Sequence, residues 1–82
     1  MNYTYAIERT AEQTVFASSG RERRLLRLAI EEIAGNPMHT PDFSERDQSG
    51  RELFTRFFGP YAVTYWIDHA VAEVRIAGVY RD

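Results

Sequence analysis

The side chains of this 82-residue chain that could carry chemistry are its arginines, its carboxylates and two histidines. It has ten arginines, no lysine, twelve aspartates and glutamates, and no cysteine. The lack of cysteine excludes a disulfide framework, a thiolate zinc site and a cysteine nucleophile, and we expect a protein built for a reducing cytoplasm. His39 and His69 lie far apart and form no metal-binding motif. We therefore expect no metal and no cofactor.

The net charge of −2 is concentrated in one segment. Residues 1–36 and residues 51–82 are each neutral, whereas three acids in residues 37–50 oppose only Arg46. A general nucleic-acid binder needs basic side chains spread along the phosphate backbone. The charge pattern therefore argues against a broad basic face, and no stretch is apolar for long enough to cross a membrane.

The N-terminal third predicts a strand followed by a short helix. Apolar and polar residues alternate over Asn2–Glu8, which is typical of a strand with one buried face. Thr10 and Gln13 have the spacing of a capping box, so a short helix is predicted over Ala11–Ala17. Residues 14–16 would also suit a strand paired back on the first one, and the sequence leaves this alternative open.

A long helix is predicted over Arg21–Ala34. Ser19 and Glu22 have capping-box spacing, and the apolar residues that follow recur at helical intervals. We expect Gly35 to be a left-handed residue that ends the helix, because Pro37 forbids its continuation.

The second half of the chain predicts a long loop and then a sheet. Residues 37–50 show no sustained period and are predicted to be a long, acidic surface loop. Strands are predicted at Glu52–Phe58, Tyr61–Asp68 and Val71–Val79, and the short turns between them make an antiparallel meander. We expect a single α+β domain over 1–82: an N-terminal strand, one short and one long helix, then the three-stranded meander, with the helices packed on one sheet face.

Arg56 and the four arginines of the long helix can each have either a structural or a functional role. Arg56 stands among apolar residues of its strand (Phe54, Phe57 and Phe58), so an inward-pointing Arg56 needs a carboxylate partner such as Glu52 or Glu73, and a structural ion pair is the interpretation we favour. Four arginines occur in the long helix together with glutamates. Arg27 and Glu31 have the i,i+4 spacing of an exposed ion pair. We favour a solvated helix face over a basic binding patch for these four (Arg21, Arg23, Arg24 and Arg27, beside Glu22 and Glu31).

The predicted meander has more aromatic residues than one small sheet face can hide. They are Phe54, Phe57, Phe58, Tyr61, Tyr65 and Trp66. Strand alternation sends Tyr61, Tyr65 and Ile67 to one face and Trp66 to the other. Apolar side chains on both faces imply a second cover besides the helix. The aromatic side chains of the second face either belong to the protein's own core or form a surface that binds a partner.

Four stretches, in order along the chain, resemble the RelE/ParE superfamily of bacterial type II toxins, also called plasmid-stabilisation proteins. The helix end at Ile30–Pro37 is similar to the family's A-[IL]-x-x-[IL]-x-x-x-P, and Gly50–Phe54 (Gly-Arg-Glu-Leu-Phe) resembles the opening of its second strand. Gly59–Asp68 resembles the family's hairpin G-x-Y-R-[VI]-x-Y-x-[ID]-D, and Val74–Arg81 resembles its closing strand. The resemblance covers nearly the whole chain and is most specific over residues 50–81.

The resemblance implies a cation-based ribonuclease site in the RelE branch. There, basic residues grip messenger RNA on the ribosome and stabilise the charge that develops when a 2′-hydroxyl attacks its own phosphate. Arg81 matches the family's arginine after the last strand, and Arg56 matches a basic position if the register slips by one residue. Ala62 replaces the arginine of the hairpin, and Tyr80 neighbours the position of the C-terminal tyrosine. The implied catalytic residues are therefore Arg81, Arg56 and Tyr80.

The loss of most of these cations favours a resemblance to the ParE branch of the superfamily. Proteins of that branch have the same scaffold and act by binding DNA gyrase. The first hypothesis is thus a toxin that works by protein binding, with a cognate antitoxin as partner and with Phe57, Trp66 and Arg75 in the binding surface. The second is a ribosome-dependent mRNA endonuclease. The third is a non-enzymatic homo-oligomer, such as a homodimer, whose aromatic sheet face covers itself.

Overall fold

The computed structural model describes residues 3–81, which form two helices and one five-stranded sheet. The elements follow the chain as β1 (Thr4–Ile7), α1 (Arg9–Phe16), α2 (Gly20–Gly35), β2 (Phe43–Arg46), β3 (Glu52–Phe58), β4 (Tyr61–Asp68) and β5 (Glu73–Arg81). The strand order across the sheet is β1-β5-β4-β3-β2. β1 pairs with β5 in parallel, and every other pair is antiparallel. The predicted α+β class is confirmed.

Helix α2 has the predicted capping box, begins at Gly20, one residue before the predicted start, and ends differently. The Ser19 side chain accepts a hydrogen bond from the backbone of Glu22, and the Glu22 side chain accepts one from the backbone of Ser19, so the capping box is complete. The expectation of a left-handed Gly35 is wrong. Gly35 is the last helical residue, and the cap is Asn36 with φ −149°. Its backbone N–H closes the last turn onto Glu32 and Ile33, which satisfies those carbonyls without a left-handed residue.

Helix α1 forms without the capping box that Thr10 and Gln13 suggested. It starts two residues before the predicted helix, and its N-cap is Glu8, which makes no side-chain capping bond. The chain enters this helix directly from β1, where the Glu8 N–H donates to the Ile76 carbonyl 2.9 Å away. The strand alternative for residues 14–16 does not occur, because these residues end the helix.

The meander has the predicted order, with shifted ends and one irregularity. β3 and β4 have the predicted bounds, whereas the last strand is Glu73–Arg81 instead of Val71–Val79. The pairing of β4 with β5 shifts at Thr64/Tyr65, so that Ala77 is an extra residue in β5. The first strand is shorter than predicted: it begins at Thr4. Asn2, which the prediction included, lies outside the described residues.

The prediction of a loop throughout residues 37–50 is wrong, because Phe43–Arg46 form strand β2 at the edge of the sheet. All four residues are exposed, so no alternation of apolar and polar residues marks the strand in the sequence. Backbone pairing with β3 holds it, and a turn closed by Asp47 joins the two. One carboxylate oxygen of Asp47 accepts from the backbone of Ser49 and of Arg51, and Gly50 supplies φ +84°.

Both helices pack on one face of the sheet, as predicted. The buried core contains Leu26, Ile30 and Ile33 of α2 and Ala11 of α1, packed against alternate residues of β4 and β5 (Tyr61, Val63, Tyr65, Val74, Ile76 and Val79). The opposite sheet surface, which we call the open face, carries no helix of the described chain. Neither helix is long and apolar enough to span a membrane.

Candidate functional site

The open face displays aromatic side chains next to small residues. Phe57, Ala62 and Tyr80 stand in one row across β3, β4 and β5, because Ala62 pairs with both of the others. Phe57 and Tyr80 are exposed, and Phe43 of β2 packs against Phe57 with 6.0 Å between ring centroids. The methyl group of Ala62 therefore lies between two exposed aromatic residues.

A concavity of about 490 Å³ lies at the end of this row, beside the turn at Gly59 and Pro60. Its wall includes Phe57, Tyr80 and Arg81. The Tyr80 ring folds back over Gly78: a Cβ at Gly78 would lie 2.5–2.7 Å from the phenol oxygen and ring carbons. Glycine at this position therefore provides the room in which the Tyr80 ring lies against the sheet.

Trp66 lies further along the open face and is partly covered by its own chain. Its indole N–H donates to the Glu8 carboxylate 3.2 Å away, and the Arg51 guanidinium lies 4.0 Å from the ring centroid. Arg75 lies 6.0 Å from the same ring and donates to Glu73 at 3.0 Å. The cations of this part of the open face are therefore stacked on Trp66 or paired with glutamate.

Arg81 lies on the helix side of the sheet, where Glu22 holds it. The Glu22 side chain accepts hydrogen bonds from Arg81 and, at 2.7 Å, from the Tyr61 hydroxyl, in addition to its capping bond from Ser19. These bonds, led by the one from Tyr61, lower the pKa of Glu22 from 4.5 to about 2. The same bond raises the pKa of Tyr61, because the phenolate would face a carboxylate. Glu22 thus links the start of α2 to the end of β5.

Arg56 also points to the helix side, and its partner is not the one expected. It pairs with Glu32 of α2 at 3.3 Å, and neither Glu52 nor Glu73 holds it. Its side chain is only 12% exposed, and its guanidinium lies 5.0 Å from the Phe58 ring centroid. The expectation of a structural ion pair for an inward-pointing arginine is therefore confirmed, with a helix residue as the partner.

The structure thus divides the predicted site residues into two groups. The three residues predicted for partner binding, Phe57, Trp66 and Arg75, share the open face. Arg56 and Arg81 lie on the helix side and bind carboxylates ten residues apart on α2, a separation of about 15 Å along the helix. Arg81 and Tyr80 line the same concavity, although their side chains leave β5 on opposite faces.

Sequence reasoning missed the two carboxylates, Glu22 and Glu32, that neutralise the candidate cations. The capping-box spacing identified Glu22, but its further bonds join elements that are far apart in sequence. Phe43 was also missed as part of the aromatic surface, because its strand has no apolar alternation. Within residues 3–81, no three metal-ligating side chains come together.

The acid stability of the fold should depend on Glu22. Because its pKa in the folded state is below its ordinary value, ionised Glu22 stabilises the fold above about pH 4.5, and this contribution is lost as the pH falls towards 2. We expect Glu22→Gln to be less stable than the parent at pH 7 and to lose less stability between pH 4.5 and 2. Urea unfolding at several pH values measures both effects. Glu31→Gln, on the same helix with no ion pair within residues 3–81, is the control; a parent-like pH profile for Glu22→Gln would contradict the assignment.

Comparison with solved structures finds the same fold in two complexes. A chain of the toxin–antitoxin complex RelBE2 (Rv2865-2866) from Mycobacterium tuberculosis matches with a TM-score of 0.80 at 20% sequence identity, over 100% of both chains. A chain of the archaeal RelE–RelB complex from Pyrococcus horikoshii OT3 matches with a TM-score of 0.77 at 13% identity, over 99% of this chain and 96% of that one. No family model and no curated protein matches the sequence. The likeness confirms the RelE-like fold that the sequence resemblance implies.

Proposed function

We propose that this chain, which shares its fold with chains of two RelE–RelB-type complexes, is the toxin of a toxin–antitoxin module and acts by binding a protein. A cognate antitoxin is its expected partner, as in the two complexes of the same fold. DNA gyrase is a candidate target, by resemblance to the ParE branch. We favour protein binding over RNA cleavage because of one observation about the cations of the candidate site.

That observation is the pairing of Arg56 and Arg81 with carboxylates of α2. Charge stabilisation of a cleaving phosphate requires cations directed at the phosphate, and each well-placed donor contributes about 3–4 kcal/mol. Here both arginines lie on the helix side and pair with Glu22 and Glu32. The open face instead offers Phe57 and Tyr80, and large aromatic side chains are typical of protein-binding surfaces.

The second candidate is a ribosome-dependent mRNA endonuclease. The shared position of Arg81 and Tyr80 in one concavity favours it, because that arrangement would place a cation and a phenol near one ligand. For RNA cleavage Arg81 would have to leave Glu22. The geometry therefore supports this candidate less than protein binding.

Regulated expression separates the two candidates. We expect expression of the chain alone to slow growth and co-expression with the adjacent small open reading frame to restore growth and give a stable complex. We expect a translation extract to retain intact message, and the double variant Arg56→Ala/Arg81→Ala to slow growth within about threefold of the parent at equal protein level. Codon-site cleavage that is lost in Arg81→Ala would show an endonuclease instead. Absence of both toxicity and complex would refute the toxin assignment, and light scattering would then test for a homodimer.

A further inference from the structure

The outward side of α2 carries two exposed leucines that have no part in the core or in the aromatic row. Leu25 is 39% exposed and Leu28 is 55% exposed, whereas Leu26, Ile30 and Ile33 of the same helix are buried against the sheet. A single exposed leucine is ordinary, but residues three apart on a helix lie side by side. The two leucines therefore form one apolar surface that the described chain leaves open to solvent.

The leucines are the centre of a stripe of four exposed residues along α2. Arg21 lies four residues before Leu25, and Glu32 lies four residues after Leu28. Intervals that alternate between four and three residues keep side chains on one side of a helix, and they are the pattern of a coiled-coil seam. The stripe thus has a cation at one end, an apolar centre and an anion at the other end.

This stripe is complementary to itself when it is turned end for end. If a second α2 lies antiparallel to the first about a two-fold axis, Leu25 of each helix lies opposite Leu28 of the other. The same register places Arg21 of each helix opposite Glu32 of the other. Glu32 holds Arg56 through one carboxylate oxygen, so its second oxygen can accept from an arginine of the second copy.

The charges beside the stripe agree with the same register. Arg24 precedes Leu25 by one residue and Glu31 follows Leu28 by three, which are the positions that flank a coiled-coil seam. In the antiparallel pair, Arg24 of each helix faces Glu31 of the other. Neither residue forms an ion pair within the part of the chain that the structure describes. Both charges are therefore available to a second copy.

The sheet leaves room for a second helix on the side of α2 where the stripe lies. Glu32 reaches Arg56 of β3, and the Leu25 side chain lies 3.9 Å from where a Cβ on Gly59 would be, so the stripe is on the β3 side of α2. α2 packs closest to β1 and β5. The helix side of β3 is therefore only partly covered, and Arg56 and Phe58 there are only partly buried.

We propose that two copies of this chain associate through this stripe, with their α2 helices antiparallel about a two-fold axis. Self-complementarity assigns the occupant, because an unrelated partner has no reason to carry the same charges in reverse order. Two sixteen-residue helices bury less than the standard interface of about 1,600 Å², so we expect a dissociation constant of about 0.1 mM and a monomer at micromolar concentration. The inference goes beyond the proposed function, since the open face lies on the other side of the sheet and stays free.

Sedimentation equilibrium from about 10 µM to about 1 mM tests the dimer. We expect the mean mass of the parent to rise from that of one chain towards that of two. Leu28→Glu should weaken the dimer by at least about tenfold, because it places a carboxylate in the apolar centre of the interface. Val71→Glu is the matched control: Val71 is 62% exposed in the turn between β4 and β5, so this variant should dimerise within about twofold of the parent.

Arg24→Glu and Glu31→Arg test the antiparallel register. Each variant alone places like charges opposite each other across the axis and should dimerise at least about fivefold more weakly than the parent. In an equimolar mixture the facing charges are again opposite, so we expect a heterodimer about as strong as the parent dimer. Neither substitution removes the pair between Glu32 and Arg56.

Three results would overturn the inference. The first is a parent that remains a monomer at about 1 mM. The second is a dimer that Leu28→Glu leaves intact; its disruption by Phe57→Glu would assign self-association to the open face instead. The third is a mixture of Arg24→Glu and Glu31→Arg that does not regain dimerisation, which would exclude the antiparallel register. All the substituted residues are exposed, and circular dichroism verifies that the variants fold.

Discussion

Replacing Leu26 by alanine is expected to lower the free energy of unfolding by about 2–5 kcal/mol. Leu26 is 0% exposed and packs in the core between α2 and the sheet. Its removal loses apolar burial and leaves a cavity that the backbone of a helix and a sheet cannot close completely. A chain of this length has a total stability of about 4–12 kcal/mol at 0.05–0.15 kcal/mol per residue, so the substitution removes a large part of it.

Leu28→Ala provides the matched control for this effect. Leu28 belongs to the same helix but is 55% exposed, so its truncation should change the free energy of unfolding by no more than about 0.5 kcal/mol. Urea unfolding followed by circular dichroism compares the two variants with the parent. Equal losses for Leu26→Ala and Leu28→Ala would mean that α2 does not pack on the sheet through the face described above.

The second large effect is expected at the open face. If the chain binds its antitoxin or its target through this surface, Phe57→Ala should weaken one of these complexes by about 30-fold, the effect of removing an interface anchor worth about 2 kcal/mol. Phe57 is 56% exposed, so its truncation opens no core cavity and should leave the fold intact. Fluorescence anisotropy or calorimetry with the purified antitoxin, and with gyrase, measures the change.

Phe16→Ala separates an interface effect from general loss of surface aromatic groups. Phe16 is 70% exposed and ends α1, away from the open face, so its truncation should change affinity by less than about threefold. A parent-like affinity of Phe57→Ala for both proteins would remove the open face from the binding surface.

The regular elements with a buried face were predictable from the sequence. Leu26, Ile30 and Ile33 of α2 recur at helical spacing and lie in the core, and Tyr61 and Tyr65 share one face as predicted, which is the face that the helices cover. Strand β2 was not predictable in this way. All of its residues are exposed, so its existence depends on backbone pairing with β3, which leaves no periodic trace in the side chains.

The partners of the charged side chains were harder to predict from the sequence than the helices and strands. Strand alternation places Arg56 on the same face as Phe54 and Phe58, which the helices cover. The sequence suggested partners for Arg56 on the strands, whereas Glu32 of α2 is the actual partner. The same holds for Glu22, whose capping role is local in sequence and whose bonds to Tyr61 and Arg81 bridge 39 and 59 residues. Pairs of this kind depend on how the helix crosses the sheet.

The sequence by itself determined the elements with a buried face and the order helix-then-meander, because burial imposes periods of 3.6 and 2 on the side chains. The RelE-like fold was implied by the resemblance of four stretches of the chain to the RelE/ParE superfamily. Only the tertiary structure decided which carboxylates the arginines of the predicted site pair with. It pairs Arg56 with Glu32 and Arg81 with Glu22, both on α2. The physical reason is that an ion pair forms over a few ångströms in space, and separation along the chain does not predict that distance.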